Sequence, residues 1–336
     1  MDKTPLVSVI MPAYNCDGFI GLAIESILNQ SLQDFELIIV YDKSSDNTLN
    51  IIENYQAINS KIIVSVGKNR GLINSLNDGL KIARGFYIAR MDADDISLPN
   101  RLEIQTSYMQ LNRDVGVSGS WIEIIDPHGI KLSVWRTSQT NEDLKACLLF
   151  SVPFAHPSVM IRSELLNEHN IAYDKNSETV EDYKLWLELS AHAKFASIPE
   201  VLLQYRYLEN SLSKTADKNF NRRFKSTQKV FKQSLLKLNM LNTKEEDTLH
   251  FIISLNDRLS NYFVKLSDLN KYLKKIIKQN KKFQVFDESS LKMLLQKKFL
   301  IVVYYKCKKM DITVFTTLLY GMFWKALFKY LIRKYR

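Results

Sequence analysis

Cysteine, glycine and proline are all scarce in this chain of 336 residues. The three cysteines, Cys16, Cys147 and Cys307, lie far apart in the sequence. That spacing fits neither a disulfide framework nor a zinc site, and it suits a reducing compartment. With only 10 Gly and 7 Pro, long low-complexity linkers are excluded. No basic segment followed by an uninterrupted apolar stretch opens the sequence, so we expect no signal peptide and a folded protein of the cytoplasm.

The two charge signs are unevenly distributed along the chain. Residues 1–213 carry 18 Lys and Arg and 27 Asp and Glu, which gives a net charge of −9. Residues 214–336 carry 28 Lys and Arg and 9 Asp and Glu, which gives a net charge of +19. An acidic first part argues against a nucleic-acid-binding protein that uses its whole surface, and we expect no nucleic-acid partner. The two parts are therefore expected to meet different partners.

Strand and helix patterns alternate over the first 91 residues. Strands are predicted over 6–14, 35–41, 61–66 and 86–91, and helices over 17–30 (with Asp17 as N-cap), 48–58 and 71–83. Strands separated by helices of this length predict right-handed crossovers and a mostly parallel α/β sheet. Ligands of such sheets bind at the carboxyl ends of the strands, which here carry Tyr14, Asp42 and an acidic segment.

The strongest chemical signal is the acidic triplet Asp92, Asp94 and Asp95 in RMDADDISLPNRLE (90–103), directly after a predicted strand. Three carboxylates at one strand end repel one another unless a cation neutralises them. Oxygen ligands of this kind suit Mg2+ or Mn2+, often shared with a phosphate group. The alternative is a solvated acidic turn that begins the helix after Pro99.

Six segments occur together in a fixed order: SVIMPAYN (8–15), IIVYDKSSDNT (38–48), NRGLINSLNDGL (69–80), ARGFYIARMDADDISLPNRLE (83–103), HPSVMIR (156–162) and VEDYKLWLEL (180–189). Over residues 5–213 the chain resembles a family 2 inverting glycosyltransferase with the GT-A fold, of the bacterial O-antigen, capsule and exopolysaccharide type. The resemblance implies a Rossmann-like, mostly parallel sheet flanked by helices, here followed by a helical, basic C-terminal region. The ordered set carries the resemblance, because no single segment is specific by itself.

The resemblance places the donor nucleotide at the ends of the first strands. Pro12 and Tyr14 would lie along the nucleobase, and Asp42 would accept a hydrogen bond from its imide N–H, which favours uracil. Arg70 and Arg90 would lie near the phosphates. The expected donor is therefore a UDP-sugar.

The resemblance also implies a metal ion and a catalytic base. Asp92 would contact the sugar or ribose, and Asp94, supported by Asp95, would hold the Mn2+ or Mg2+ ion that bridges the diphosphate. Asp182, beside Glu181, would be the general base for the acceptor hydroxyl. The same pair also places negative charge at the start of a predicted helix, where the helix dipole favours it, and both interpretations can hold at once.

Four further side chains, Trp121, His156, Glu181 and Trp186, are candidates for the sugar or acceptor pocket, although a histidine before proline such as His156 is often structural. Two positions depart from the family pattern. Tyr41 stands where the family usually has a second aspartate, and Leu208 stands where a Tyr-Arg-x-His-like segment would have histidine. The chain also lacks a Gln-x-x-Arg-Trp segment after the Glu-Asp pair, which favours addition of a single sugar over processive synthesis.

We divide the chain into a glycosyltransferase domain (1–213), a Lys-rich helical region (214–300) and a basic amphipathic tail (301–336). The longest charge-free run in the tail has 13 residues, from Ile312 to Trp324, whereas a membrane-spanning helix needs about 20. We expect the tail to lie on an anionic membrane surface. Packing on the catalytic domain or on a second subunit is the alternative.

The predicted function is metal-dependent, inverting transfer of one sugar to a hydroxyl of a growing, lipid-linked surface glycan. A polyprenyl-diphosphate-linked acceptor would keep the enzyme peripherally on the inner face of the cell membrane. One alternative is an inactive membrane-associated scaffold with a glycosyltransferase-like domain. The departures from the family pattern at Tyr41 and Leu208 favour this alternative.

A second alternative is a haloacid-dehalogenase-type phosphatase with Asp92 as nucleophile and Asp94 as acid. Ile96 stands where such enzymes usually have Thr or Val, and three predicted strands precede a motif that should follow the first. A dinucleotide oxidoreductase is disfavoured because no G-x-G-x-x-G follows the first strand.

Overall fold

The structure, a computed structural model, describes residues 4–67, 71–209, 220–255 and 262–308. The chain forms two compact units. The first combines residues up to Leu144 with Val152–Arg223, and the second combines Lys145–Ser151 with residues from Phe224 onward. The three-part division at residues 213 and 300 stays a prediction.

Nine strands in the described part of the first unit form one mixed sheet. They are β1 Val7–Ala13, β2 Phe35–Tyr41, β3 Ile62–Val66, β4 Tyr87–Arg90, β5 Ile96–Ser97, β6 Val115–Ile125, β7 Lys131–Trp135, β8 Met160–Arg162 and β9 Lys194–Arg206. Their order is β3-β2-β1-β4-β8-β6-β9-β5, with β7 paired to β6. Strands β1 to β4 are parallel, whereas β8 runs antiparallel to β4 and β6. The predicted α/β class is confirmed.

The register of β1 brings three strand ends to one edge of the sheet. Ala13 pairs with Tyr41 of β2, and Ile10 pairs with Arg90 of β4. The residues that follow these strands, among them the acidic triplet, therefore lie at the same edge. All seven residues of β2 are buried, as expected for a parallel strand covered by helices on both faces.

Seven α-helices lie along the first part of the chain: α1 Ile20–Leu28, α2 Thr48–Ile58, α3 Leu72–Ile82, α4 Arg101–Leu111, α5 Asn141–Cys147, α6 Ser163–Glu168 and α7 Glu181–Leu189. The predicted helix over 48–58 is confirmed, but the prediction of Asp17 as the N-cap of the first helix is wrong. Phe19 occupies that position and makes no side-chain cap. Asp17 instead accepts a hydrogen bond from Asn47 N at 3.4 Å, because the loops before α1 and α2 pack against each other.

From residue 220 the described chain forms four helices, α8 Phe220–Lys237, α9 Lys244–Ser254, α10 Leu266–Phe283 and α11 Glu288–Lys308. His250 lies in the core of the second unit, where its ring stacks on Phe150 at 4.4 Å. Its Nδ1 bonds with the Tyr272 hydroxyl at 2.7 Å, and Nε2 with the Leu149 carbonyl at 2.8 Å. Burial lowers the pKa of His250 to about 3, so this histidine is a neutral packing residue at pH 7.

Among the described residues, no helix has the length and hydropathy to cross a membrane. Residues 309–336, which make up most of the predicted basic tail, lie outside the described part of the chain. Membrane contact by the tail therefore stays a prediction.

Candidate functional site

The acidic triplet follows β4 directly. Each of Asp92, Asp94 and Asp95 offers a carboxylate oxygen, and these oxygens lie within 4.8 Å of one another. Burial and the charge of Asp92 raise the pKa of Asp94 to about 6. Burial and the charges of Asp92 and Asp94 raise the pKa of Asp95 well above its usual value. Carboxylates held this close need protons or a cation to offset their repulsion.

Asp95 has one paired and one unpaired carboxylate oxygen. The side chain is 1% exposed. Its Oδ1 accepts a hydrogen bond from Arg206 N at 2.8 Å, whereas Oδ2 has no hydrogen-bond partner among the described residues. A buried oxygen without a partner is costly, and Mg2+ and Mn2+ prefer oxygen ligands. The donor set of the triplet therefore fits a divalent cation.

Arg90 ends β4 beside the triplet. Its guanidinium is buried and forms an ion pair with Asp92 through Nη1. Its backbone is fixed on both sides, because its N–H donates to Val159 O at 3.1 Å and its carbonyl accepts from Arg101 Nη2 at 2.8 Å. In the structure Asp92 meets the charge of Arg90, and the contact with a donor phosphate stays a prediction.

Glu181 and Asp182 occupy the first turn of α7. Asp182 Oδ1 accepts a hydrogen bond from Tyr183 N at 2.6 Å. Burial and the charge of Asp182 raise the pKa of Glu181 to about 7, while Arg90 acts in the opposite direction. A carboxyl group that titrates near neutral pH is suited to proton transfer. Of this pair, Glu181 is therefore the carboxyl group that can exchange a proton near neutral pH.

The turn after β1 forms one rim of this edge. The Tyr14 side chain is 58% exposed, and Pro12 is half-buried within β1. Asn15 has a left-handed φ of 46°, a conformation that asparagine tolerates. Its N–H donates to Ser44 Oγ and its Oδ1 accepts from Ser45 N, both at 2.9 Å. An exposed aromatic ring on a fixed turn is suited to stacking on a planar ligand.

Asp42 lies at the end of β2 and is 5% exposed. Its Oδ2 accepts a hydrogen bond at 2.8 Å from the N–H of Gly71, which precedes α3 and has a φ of 82°. One carboxylate oxygen of Asp42, the residue predicted to bind uracil, therefore fixes the start of α3. Arg70, the other predicted residue of this segment, lies outside the described residues.

Tyr41 stands where the resemblance led us to expect an aspartate. Its side chain is buried in the core of the first unit. Its hydroxyl accepts from Ser44 N at 2.9 Å and donates to Ser44 O at 3.3 Å. The aromatic side chain thus closes the turn after β2. Leu208, the second departure, follows β9 and is half-buried.

Two of the predicted pocket residues lie together inside the protein. His156 Nε2 and the Tyr173 hydroxyl are 2.7 Å apart, and burial lowers the pKa of His156 well below its usual value. Trp186 is 0% exposed and packs edge-on against His156 and Phe154. Trp121 lies elsewhere on β6, where its Nε1 donates to the Thr137 carbonyl at 3.1 Å. The structure brings His156 and Trp186 together and leaves neither ring on the surface.

Tyr173 and Arg206 lie at the candidate site, although the sequence pattern does not mark them as site residues. Tyr173 is buried against His156. Arg206 is 3% exposed, and its Nε donates to the Asp94 carbonyl at 2.8 Å. The only sequence signal for Arg206 is its place in the Tyr-Arg-x-His-like segment, and Tyr173 has none.

Sequence comparison relates the chain to known proteins. The family profile described as Glycosyl transferase family 2 matches residues 8–169. The O-antigen biosynthesis glycosyltransferase WbnJ of Escherichia coli is 32% identical over 216 residues, which are 63% of this chain and 83% of that protein.

Known structures share the fold. S. aureus TarS in complex with UDP-GlcNAc has a TM-score of 0.58 and 18% identity, over 91% of this chain and 88% of that chain. The mannosyltransferase PcManGT of Pyrobaculum calidifontis, in complex with GDP-Man and Mn2+, has a TM-score of 0.53 and 16% identity, over 98% and 86%. Together with the sequence relationship, this architecture shows that the chain belongs to glycosyl transferase family 2 and has the GT-A fold.

Proposed function

We propose that this protein transfers a single sugar from a UDP-sugar to a hydroxyl group of a lipid-linked surface glycan, with inversion at the anomeric carbon. The observation that carries the proposal is the acidic triplet, whose oxygens lie within 4.8 Å of one another and which contains a buried oxygen that no described residue hydrogen-bonds. Asp94 and Asp95 would hold a Mn2+ or Mg2+ ion. When bound, such an ion supplies Lewis-acid stabilisation of the negative charge on the leaving diphosphate.

The Glu181–Asp182 pair supports the inverting chemistry. Asp182 would take the proton from the acceptor hydroxyl as its oxygen attacks the anomeric carbon opposite the leaving group. Glu181, whose pKa is raised to about 7 by burial and by Asp182, places a protonatable group next to this base. Attack from the side opposite the diphosphate inverts the configuration of the transferred hexose.

The donor is assigned from the rim of the site. Tyr14 offers an exposed ring for the base, beside Pro12. The Asp42 carboxylate, held at the start of α3 by Gly71 N, would accept from the uracil imide. TarS is described with UDP-GlcNAc and PcManGT with GDP-Man. Since both share the fold, the choice of nucleotide must come from side chains that contact the nucleobase.

The proposed binding to a membrane, and with it the lipid-linked acceptor, is inferred from the positive charge of the second unit and of the tail. In the second unit, Lys271, Lys274 and Lys278 are exposed at spacings of three and four on α10, which places them on one helix face. This face and the basic tail from residue 301 would attract an anionic lipid surface, by about 1 kcal/mol per basic side chain. An O-antigen glycosyltransferase relative supports a surface-glycan acceptor, and a polyprenyl-diphosphate anchor would place it at the inner face of the membrane.

The nucleotide and the metal are tested first by thermal shift. UDP, GDP, dTDP and CMP are each added with and without Mn2+ to the wild type, to Asp94→Ala and to the control Asp114→Ala, which removes an exposed carboxylate. A ligand at 100 times its dissociation constant stabilises by about 2.7 kcal/mol. We expect a Mn2+-dependent shift with UDP for wild type and Asp114→Ala only. No shift with any nucleotide would contradict the proposal and leave the inactive scaffold as the better account.

Membrane contact is tested by co-sedimentation of the full chain with vesicles of phosphatidylcholine, alone or with phosphatidylglycerol. The variant changes Lys325, Lys329 and Lys334 to Gln, and the control changes Lys81, Lys131 and Lys194 to Gln. We expect binding to the anionic vesicles only, weakened in the tail variant and retained in the control. Equal binding to both lipid compositions would contradict the electrostatic assignment.

A further inference from the structure

Arg206, the last residue of β9, joins the acidic triplet to a neighbouring turn. Its backbone N–H donates to Asp95 Oδ1 and its Nε donates to the Asp94 carbonyl, both at 2.8 Å. Its Nη1 donates to the carbonyls of Asp126 at 3.2 Å and Pro127 at 3.0 Å, in the turn between β6 and β7. Arg206 therefore hydrogen-bonds the Asp95 side chain and the Asp94 backbone, and it connects both to the turn between β6 and β7.

The environment of Arg206 fixes its orientation. The residue is 3% exposed, and its guanidinium lies 4.7 Å from the centre of the Phe19 ring. A buried cation is costly unless hydrogen bonds and opposite charge compensate it, and here the carbonyl oxygens and the triplet provide both. The planar fork of arginine donates in fixed directions, which a lysine ammonium does not do.

We propose that Arg206 is a positioning residue for the divalent cation. The backbone N–H of Arg206 binds Oδ1 of Asp95, and Oδ2 is the oxygen left without a hydrogen bond from the described residues. The side chain of Arg206, which a substitution changes, acts on Asp94. Its Nε fixes the backbone that carries Asp94. This inference rests on the proposed function, because the cation site belongs to it. Residues that orient metal ligands in this way typically account for a factor of about 10 to 100 in metal affinity.

Arg162 provides a matched control. Its Nε donates to the Val115 carbonyl at 2.9 Å, and its guanidinium lies 5.5 Å from the centre of the Tyr87 ring. It therefore binds backbone carbonyls and stacks on an aromatic ring as Arg206 does, but Tyr87 is at the beginning of β4 and the triplet follows its end. Arg162→Lys thus removes the same kind of interaction without touching the triplet.

The experiment is a Mn2+ titration of the full chain with UDP, followed by the electron paramagnetic resonance signal of free Mn2+. Wild type, Arg206→Lys, Arg162→Lys and Asp94→Ala are compared, and their thermal midpoints are recorded. We expect Mn2+ to bind at least tenfold more weakly to Arg206→Lys than to wild type, and with unchanged affinity to Arg162→Lys even where that variant is less stable. An affinity of Arg206→Lys within twofold of wild type would overturn the inference and leave the proposed function standing.

Two further outcomes are decisive. Wild type that binds no Mn2+, or binds it as well as Asp94→Ala does, would overturn the metal site itself and the inference with it. If Arg206→Lys does not fold, Phe19→Leu replaces it, because this half-buried ring contacts the guanidinium without contributing to the hydrogen bonds. A several-fold weaker Mn2+ affinity in Phe19→Leu supports the inference, and an unchanged affinity overturns it.

Discussion

Asn77 and Tyr173 bind each other through two hydrogen bonds, although 96 positions separate them in the sequence. Asn77 Nδ2 donates to the Tyr173 carbonyl, and Asn77 Oδ1 accepts from the Tyr173 N–H, both at 2.9 Å. Both residues are buried. The side-chain amide thereby acts as a strand partner for the backbone of Tyr173, and it anchors the segment that leads to Glu181 and Asp182.

Asn77→Ala leaves both backbone groups of Tyr173 without this partner. We expect the free energy of unfolding to fall by about 2 kcal/mol, because each buried polar group left unpaired costs about 1–3 kcal/mol. Sugar transfer should also slow, since the segment before Glu181 is loosened. Urea unfolding measures the first effect. The control is Asn50→Ala, an exposed position where changes stay within about 0.5 kcal/mol, and equal stability of the two variants would contradict the anchoring role.

The raised pKa of Glu181 makes part of the stability depend on pH. Its pKa rises from 4.5 in the unfolded chain to about 7 in the folded protein, because of burial and the Asp182 charge. The folded state therefore holds this proton more tightly, and the Glu181 contribution to stability falls as pH rises from about 4.5 to about 7. The loss should be on the order of 1–3 kcal/mol, since one pKa unit corresponds to about 1.4 kcal/mol.

Urea unfolding of wild type and Glu181→Gln at pH 5 and pH 7.5 measures this difference. Glutamine has the same shape and no charge, so the variant should gain stability relative to wild type as pH rises. Parallel pH profiles for the two proteins would contradict the raised pKa.

Charge repulsion in the triplet predicts opposite effects of Asp95→Asn with and without metal. In EDTA at pH 7.5, the variant should unfold at a midpoint roughly 2–6 °C above that of wild type, because asparagine needs neither a bound proton nor a charge beside Asp92 and Asp94. Mn2+ with UDP should raise the midpoint of wild type and leave that of the variant unchanged. Asp114→Asn, which changes an exposed carboxylate, should behave as wild type in both conditions. A variant that is less stable in EDTA would be evidence against the repulsion.

His250 makes the second unit sensitive to acid. Burial lowers its pKa from 6.5 to about 3, so the unfolded chain binds this proton more tightly and stability falls as pH decreases below about 6.5. Between pH 7 and pH 5 the His250 contribution should fall by about 2 kcal/mol. Guanidinium unfolding of wild type and His250→Gln at both pH values measures it. A variant that loses as much stability on acidification as wild type would refute the assignment.

Local patterns predicted several elements at the edge of the sheet that carries the acidic triplet. The mostly apolar segment FELIIVY is strand β2, and the cap-rich segment after it leads into helix α2. These predictions succeed because a parallel strand buried on both faces appears as a short, mostly apolar run, and because capping residues mark where a helix begins. The acidic triplet was recognised for a similar reason, since its residues are adjacent in the sequence.

Contacts between distant segments were not predictable in this way. Arg206 binds Asp95 across 111 positions and Tyr173 binds Asn77 across 96, and neither pair has a local signature. The start of α1 was also misplaced, because Asp17 contacts the loop before α2 instead of capping its own helix. These features depend on which loops meet at the sheet edge, and tertiary packing decides that.

The loops after β1 and β2 are tied together before any ligand arrives. Asn15 binds Ser44 and Ser45, and the N–H of Cys16 donates to Thr48 Oγ1 at 2.9 Å. The exposed Tyr14 ring therefore lies next to a turn whose conformation is already fixed by these hydrogen bonds. A planar ligand that stacks there loses little affinity to loop ordering, so its recognition would follow lock-and-key kinetics, with a single association phase.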